Sequence, residues 1–124
     1  MAIVKLADVP IVATEHGRWQ ALNTPLGLSG VGVNAYNADA GDNVDLTHDE
    51  STSNQQELYI VVAGRAGLTI DGVEHEATVG TVMSVPDPAT MRSMRALEDG
   101  TRVVCIGASP GTGDEGYGSW IVPA

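Results

Sequence analysis

Phenylalanine is absent, cysteine occurs once and basic residues number only six in this chain of 124 residues. The lone thiol, Cys105, excludes an internal disulfide and any zinc site built on several cysteines of one chain. Six Lys and Arg against sixteen Asp and Glu give a formal charge of -10, which repels phosphate backbones and anionic lipid headgroups; nucleic acid and membrane partners are therefore not expected. No apolar run approaches the roughly 18 residues of a membrane span. The apolar N-terminal stretch is interrupted by Lys5, Asp8 and Pro10 before a signal-peptide core could form, so a cytoplasmic location is expected. Motifs for phosphate cradling, a nucleophile elbow or a basic aromatic stripe are also missing, and Gly111-Thr112-Gly113-Asp114 reads as a flexible turn.

What the chain does have is fifteen glycines and recurrent turn signals, which point to many short strands and an all-β protein. Its length suits one domain. Residues 3–13 and 18–22 read as N-terminal strands, the first broken at Pro10, with Asn23-Thr24-Pro25 as a turn. Over residues 31–36 the alternation places Val31, Val33 and Ala35 on one face and Asn34 with Tyr36 on the other. Residues 44–48 form the next strand, and residues 58–62 form the strongest, rich in β-branched residues and expected to be buried on both faces. Asp71-Gly72 between two alternating runs is a hairpin turn that needs positive φ at both positions. Residues 81–85 and 101–106 are further strands, and the Gly-rich, acidic tail 107–124 reads as a surface excursion with Trp120-Ile121-Val122 docking back.

Gly41, a strand bearing His48, then Glu57, six intervening residues and Gly64 form an ordered set; Gly80 and Pro86, five residues apart, form a second. With the Asp71-Gly72 hairpin between them, these residues resemble the two motifs of the cupin superfamily over residues 30–106. The resemblance implies a cupin-type double-stranded β-helix, a jelly-roll barrel, as one domain over residues 1–124. It also implies a homodimer, because the N-terminal strands of such small barrels cover a neighbour's sheet edge. In the common metal-binding form two histidines one residue apart and a glutamate join a third histidine. Here His48, Glu50 and Glu57 hold the first three positions, and the third falls on Met91, beside Arg92, so the resemblance is to a degenerate metal motif.

Two readings of the interior follow. In the first, a small molecule binds in a metal-free or weakly metal-binding barrel, lined by Asn34, Tyr36, Tyr59, Met91 and Arg92, with Glu57 as acid/base. Burial would raise the Glu57 pKa unless Arg92 or Arg95 pairs with it. In the second, His48, Glu50 and Glu57 hold a divalent Zn, Mn or Fe for oxygenase or isomerase chemistry. The plainer alternatives are that His48 caps a strand end, that Glu50 belongs to a solvated loop, and that Asn34 and Tyr36 face solvent. A third functional class, a structural or regulatory barrel without turnover, also fits. His75, between Glu74 and Glu76, reads as solvent-facing, His16 as a loop residue and Cys105 as an inert core thiol.

Overall fold

A computed structural model describes residues 1–14 and 17–110. His16 and the tail beyond residue 110, including Gly111-Thr112-Gly113-Asp114 and Trp120-Ile121-Val122, lie outside the described residues. Ten strands are present among the described residues: β1 Val12–Thr14, β2 Gly17–Ala21, β3 Gly32–Ala38, β4 Asn43–His48, β5 Gln56–Ala63, β6 Arg65–Ile70, β7 Val73–Thr78, β8 Val82–Val85, β9 Arg92–Ala96 and β10 Thr101–Ala108. They form a six-stranded sheet in the order β1-β2-β3-β10-β5-β8 and a four-stranded sheet in the order β4-β9-β6-β7. Neighbours run antiparallel, as two-layer jelly rolls require. No helix among the described residues is long and apolar enough to cross a membrane.

Strand alternation sets the core. On β10 the buried residues are Thr101, Val103, Cys105 and Gly107, and the residues between them are half-exposed. Register carries that inner face sideways: Val103 lies opposite Tyr36 and Val61, and Cys105 opposite Asn34 and Tyr59. Val44, Ala66, Leu68, Ala77, Met94 and Ala96 of the four-stranded sheet meet them, so the core lies between the layers. The expectation that β5 is buried on both faces fails. Glu57, Tyr59 and Val61 are buried, but Leu58 and Ile60 are half-buried and Val62 is 40% exposed. Only one face of the sheet has a second layer against it, and an apolar strand can leave its outer side partly in water.

The turns follow their residues. Asp71 and Gly72 have φ of 49° and 80°, joining β6 to β7 as a two-residue hairpin. Gly64, with φ of 70°, turns β5 into β6 so closely against Thr101 that a Cβ would lie 2.4 Å from its Oγ1. Asn23-Thr24-Pro25 is part of one helical turn, Asn23–Leu26, ended by Gly27 in the left-handed region. The N-terminal strand expected over residues 3–13 is realised only at β1. Leu6–Asp8 forms a 3-10 turn instead, and the Leu6 and Val9 carbonyls accept hydrogen bonds from buried Gln20 at 2.6 and 2.9 Å.

Candidate functional site

His48 and Glu50 come from the end of β4 and the residues after it, Glu57 from the start of β5, and Arg92 from the start of β9. The β4 register sets this convergence. Asp45 lies opposite Met94 and His48 opposite Arg92, so β4 spends three residues where β9 spends two. Such a bulge brings two residues of opposite parity to the same side. Both His48 and Asp45 thereby face the interior, with His48 Nδ1 3.6 Å from Asp45 Oδ1. Beyond the strand, the Glu50 N–H donates to the Pro88 carbonyl at 2.8 Å and the Ser53 hydroxyl donates to Glu50 Oε2.

His48 Nδ1–H donates to the Leu46 carbonyl at 2.8 Å, which fixes the ring and directs Nε2 at the carboxylates. Glu50 Oε1 is 3.1 Å from Nε2 and Glu57 Oε1 is 3.8 Å from it. Glu57, then the Leu46 carbonyl, holds the imidazole in its charged form and lifts its pKa to about 9 against the opposing effect of burial. Glu57 outweighs the nearer Glu50 because its side chain is more buried, 8% exposed against 21%. Burial is the first influence on Asp45 as well; it raises that carboxyl to about 6 although the His48 charge pulls the other way.

Of the two outcomes expected for Glu57, a carboxyl raised by burial or one paired with Arg92 or Arg95, the second is realised, with Arg92. Burial does push the Glu57 pKa up, but the His48 imidazolium at 3.8 Å, hydrogen bonds from Cys105 and Tyr59 and the Arg92 charge together outweigh burial and lower it. The Tyr59 hydroxyl donates to Oε1 at 3.1 Å and the Cys105 thiol to Oε2 at 3.2 Å. Desolvation, with the nearby carboxylates, raises the Tyr36, Tyr59 and Cys105 pKa values, so all three stay neutral donors. Arg92 is 1% exposed, and its Nη2 lies 3.5 Å from Glu57 Oε1. Only its Nη1 makes a hydrogen bond, to the Thr90 carbonyl at 2.9 Å; Nε and Nη2 have no hydrogen-bond partner among the described residues.

No protein-family model matches the chain, and no curated protein matches it in sequence. Solved structures do match its fold. A cupin 2 conserved barrel domain protein from Salinispora arenicola superposes with a TM-score of 0.73 at 18% identity, covering 98% of each chain. A cupin protein from Bacteroides fragilis gives a TM-score of 0.66 at 24% identity, over 84% of this chain and 86% of that one. The fold is a cupin barrel. A third cupin neighbour, a sugar phosphate isomerase from Silicibacter pomeroyi, gives 0.70 at 18% identity over 86% and 74% of the two chains.

In this barrel the three residues at the positions that resemble the metal motif could hold a divalent ion. One donor atom from each of His48, Glu50 and Glu57 lies within 4.8 Å of the others. The Nδ1–H bond to Leu46 matches the outer partner that metal-binding imidazoles use, and it leaves Nε2 directed at the cluster. Cys105 is not a fourth donor, since its thiol is committed to Glu57.

The remaining site residues divide sharply. Tyr59 and Arg92 join the cluster through Glu57. Tyr36 is buried on the inner face near Cys105, while Asn34 is half-buried one pair further along the same face. Met91, expected in the pocket, is 45% exposed and is not brought to the cluster. The reason is parity: Arg92, Met94 and Ala96 are the inward residues of β9, so the residue before Arg92 points out. His75 is exposed on β7, as expected. Asp45 and Cys105 were not anticipated at the site. Asp45 is recognisable only once the bulge is known, and Cys105 could have been suggested by its shared strand parity with Val103.

Proposed function

We propose that this cupin binds a small polar molecule where the barrel interior meets solvent, against His48, Glu50 and Glu57, and transfers a proton to or from it. The observation that carries this reading is the fixed imidazole. One nitrogen of His48 is tied to the Leu46 carbonyl, and the other faces two carboxylates with the side chain 30% exposed. A ligand at Nε2 therefore meets a proton donor with Glu50, the more exposed carboxylate, as the acceptor beside it. Glu57, whose oxygens already accept from Tyr59 and Cys105, orients His48 and balances the Arg92 charge. This revises its role from acid/base to positioning residue. The sugar phosphate isomerase among the neighbours of this fold supports proton-transfer chemistry on a polyhydroxylated substrate.

The donor spacing favours a second reading, in which His48 Nε2, Glu50 and Glu57 hold a divalent Zn, Mn or Fe. A metal there would supply Lewis-acid polarisation of a bound oxygen, and the chain's residues would keep the orienting roles described above. Elemental analysis of protein purified without chelators separates the readings. Near-stoichiometric metal that is lost in His48→Ala supports the second. Metal-free protein whose melting temperature rises with a sugar or sugar acid, and no longer rises in His48→Ala, supports the first. Absence of both metal and ligand response across such a panel would overturn both and leave a barrel without turnover.

A further inference from the structure

Arg92 is the largest of the fully buried side chains among the described residues, and its guanidinium is not saturated by the protein. The Nη1 amine is used by the Thr90 carbonyl, whereas Nε and Nη2, the two donors on the opposite edge of the planar group, bond to nothing. Glu57 does not fill that edge. Its Oε1 stands 3.5 Å from Nη2, outside hydrogen-bond range, and its two oxygens are already engaged by Tyr59 and Cys105. Leaving charged N–H donors buried and unpaired is costly, and native proteins do so mainly where a ligand or water completes the set. The Nε/Nη2 edge presents two parallel N–H groups at the spacing of the two oxygens of a carboxylate or of one face of a phosphate.

We infer that Arg92 reads an oxyanion on the ligand, so that the molecule bound beside His48 and Glu50 carries an acidic group, a carboxylate or a phosphate ester. This rests on the small-molecule reading above and adds its substrate class: the acidic group docks on the Nε/Nη2 edge while the rest of the molecule reaches the half-exposed His48 and Glu50. The same guanidinium stands beside the carboxylate that orients His48, which couples recognition of the anionic end to the position of the proton donor.

The test is a titration of the full-length, 15N-labelled protein followed at the arginine Nε–Hε and histidine ring cross-peaks. The probes are sodium formate, inorganic phosphate, sodium chloride and the neutral polyol D-glucitol. The expected result is a saturable shift of the Arg92 Nε–Hε cross-peak with formate or phosphate, absent with chloride and absent at the exposed Arg65 and Arg95. Saturation by formate alone assigns a carboxylate, and saturation by phosphate alone a phosphate ester. Arg92→Lys, which keeps the charge without the fork, is expected to weaken that binding by about tenfold or more. An Arg92 cross-peak that stays still, or moves only in step with Arg65 and Arg95, overturns the inference. If D-glucitol shifts the His48 ring peaks in that case, the small-molecule reading survives with a neutral ligand. If no probe moves His48 either, both fail.

Discussion

Glu57→Gln removes the carboxylate that pairs with Arg92. The amide keeps the shape of the carboxyl and retains an oxygen for Tyr59 or Cys105. Its NH2 end, however, must sit among groups that are themselves donors: Arg92 Nη2 at 3.5 Å, His48 Nε2 at 3.8 Å, and the Tyr59 hydroxyl or the Cys105 thiol. The dominant cost is the guanidinium, 1% exposed, which loses its counter-charge inside the barrel. Breaking a buried pair from one side costs about 3–5 kcal/mol. For a chain of this length that corresponds to a fall in melting temperature of roughly 10–20 °C. Thermal unfolding followed by circular dichroism reads the loss, and the His48 ring shifts read the second consequence, a lower imidazole pKa. Glu50→Gln is the control: that carboxylate is partly solvated, so the change should cost about 1 kcal/mol or less. Adding Arg92→Met to Glu57→Gln should recover most of the loss, because no buried charge then stands alone. A Glu57→Gln protein that melts within about 2 °C of wild type, with the His48 titration unmoved, refutes the reasoning.

Stability should fall as pH rises through the neutral range. His48 has its folded pKa raised from 6.5 to about 9, so its contribution is complete below 6.5 and disappears as pH climbs to about 9. After discounting for its partial exposure this amounts to about 1–2 kcal/mol. Asp45, raised from 3.8 to about 6, acts in the same direction at lower pH: its contribution is complete below 3.8 and is lost by about 6. Urea unfolding at pH 6.5 and 9.5 measures the His48 part, which should vanish in His48→Gln, and a flat or rising profile in the wild type contradicts it. Two glycines should behave differently. Gly64→Ala, whose Cβ would lie 2.7 Å from the Thr101 Cα at a φ of 70°, should fail to reach a stable fold, whereas Gly72→Ala, with open space around its Cβ, should lose only about 1–2 kcal/mol by urea unfolding.

Features fixed by local chemistry were readable before the coordinates. The Asp71-Gly72 hairpin depends on two backbone angles that few other residue pairs accept, and it forms where expected. His48, Glu50 and Glu57 were also identifiable, through the resemblance of their spacing to the first cupin motif. The failures arise where a count along the chain had to stand for a position in space. Counting from Pro86 put Met91 at the last site position, but β9 begins one residue later and its parity delivers Arg92. Asp45 was overlooked for the complementary reason, since it lies three positions before His48 and a regular strand would send the two apart. Burial was expected to raise the Glu57 pKa unless Arg92 or Arg95 paired with it. Arg92 is the partner realised and Tyr59 follows from its parity with Glu57 on β5, but no local pattern announces that the Cys105 thiol of β10 meets them.

The bulge between Asp45 and His48 makes the site separable from the barrel that carries it. Were β4 to run in step with β9 from Asp45 onward, His48 would come to lie opposite Met91 with its imidazole on the outer wall, whereas a one-residue deletion between Asp45 and His48 would let the strand pair regularly and still hold the imidazole inside. A barrel of this kind can thus hold or lose its chemistry through one local irregularity of pairing, with no ligand-bearing side chain replaced. Among related sequences, the spacing ahead of the histidine would then be as informative as the histidine itself.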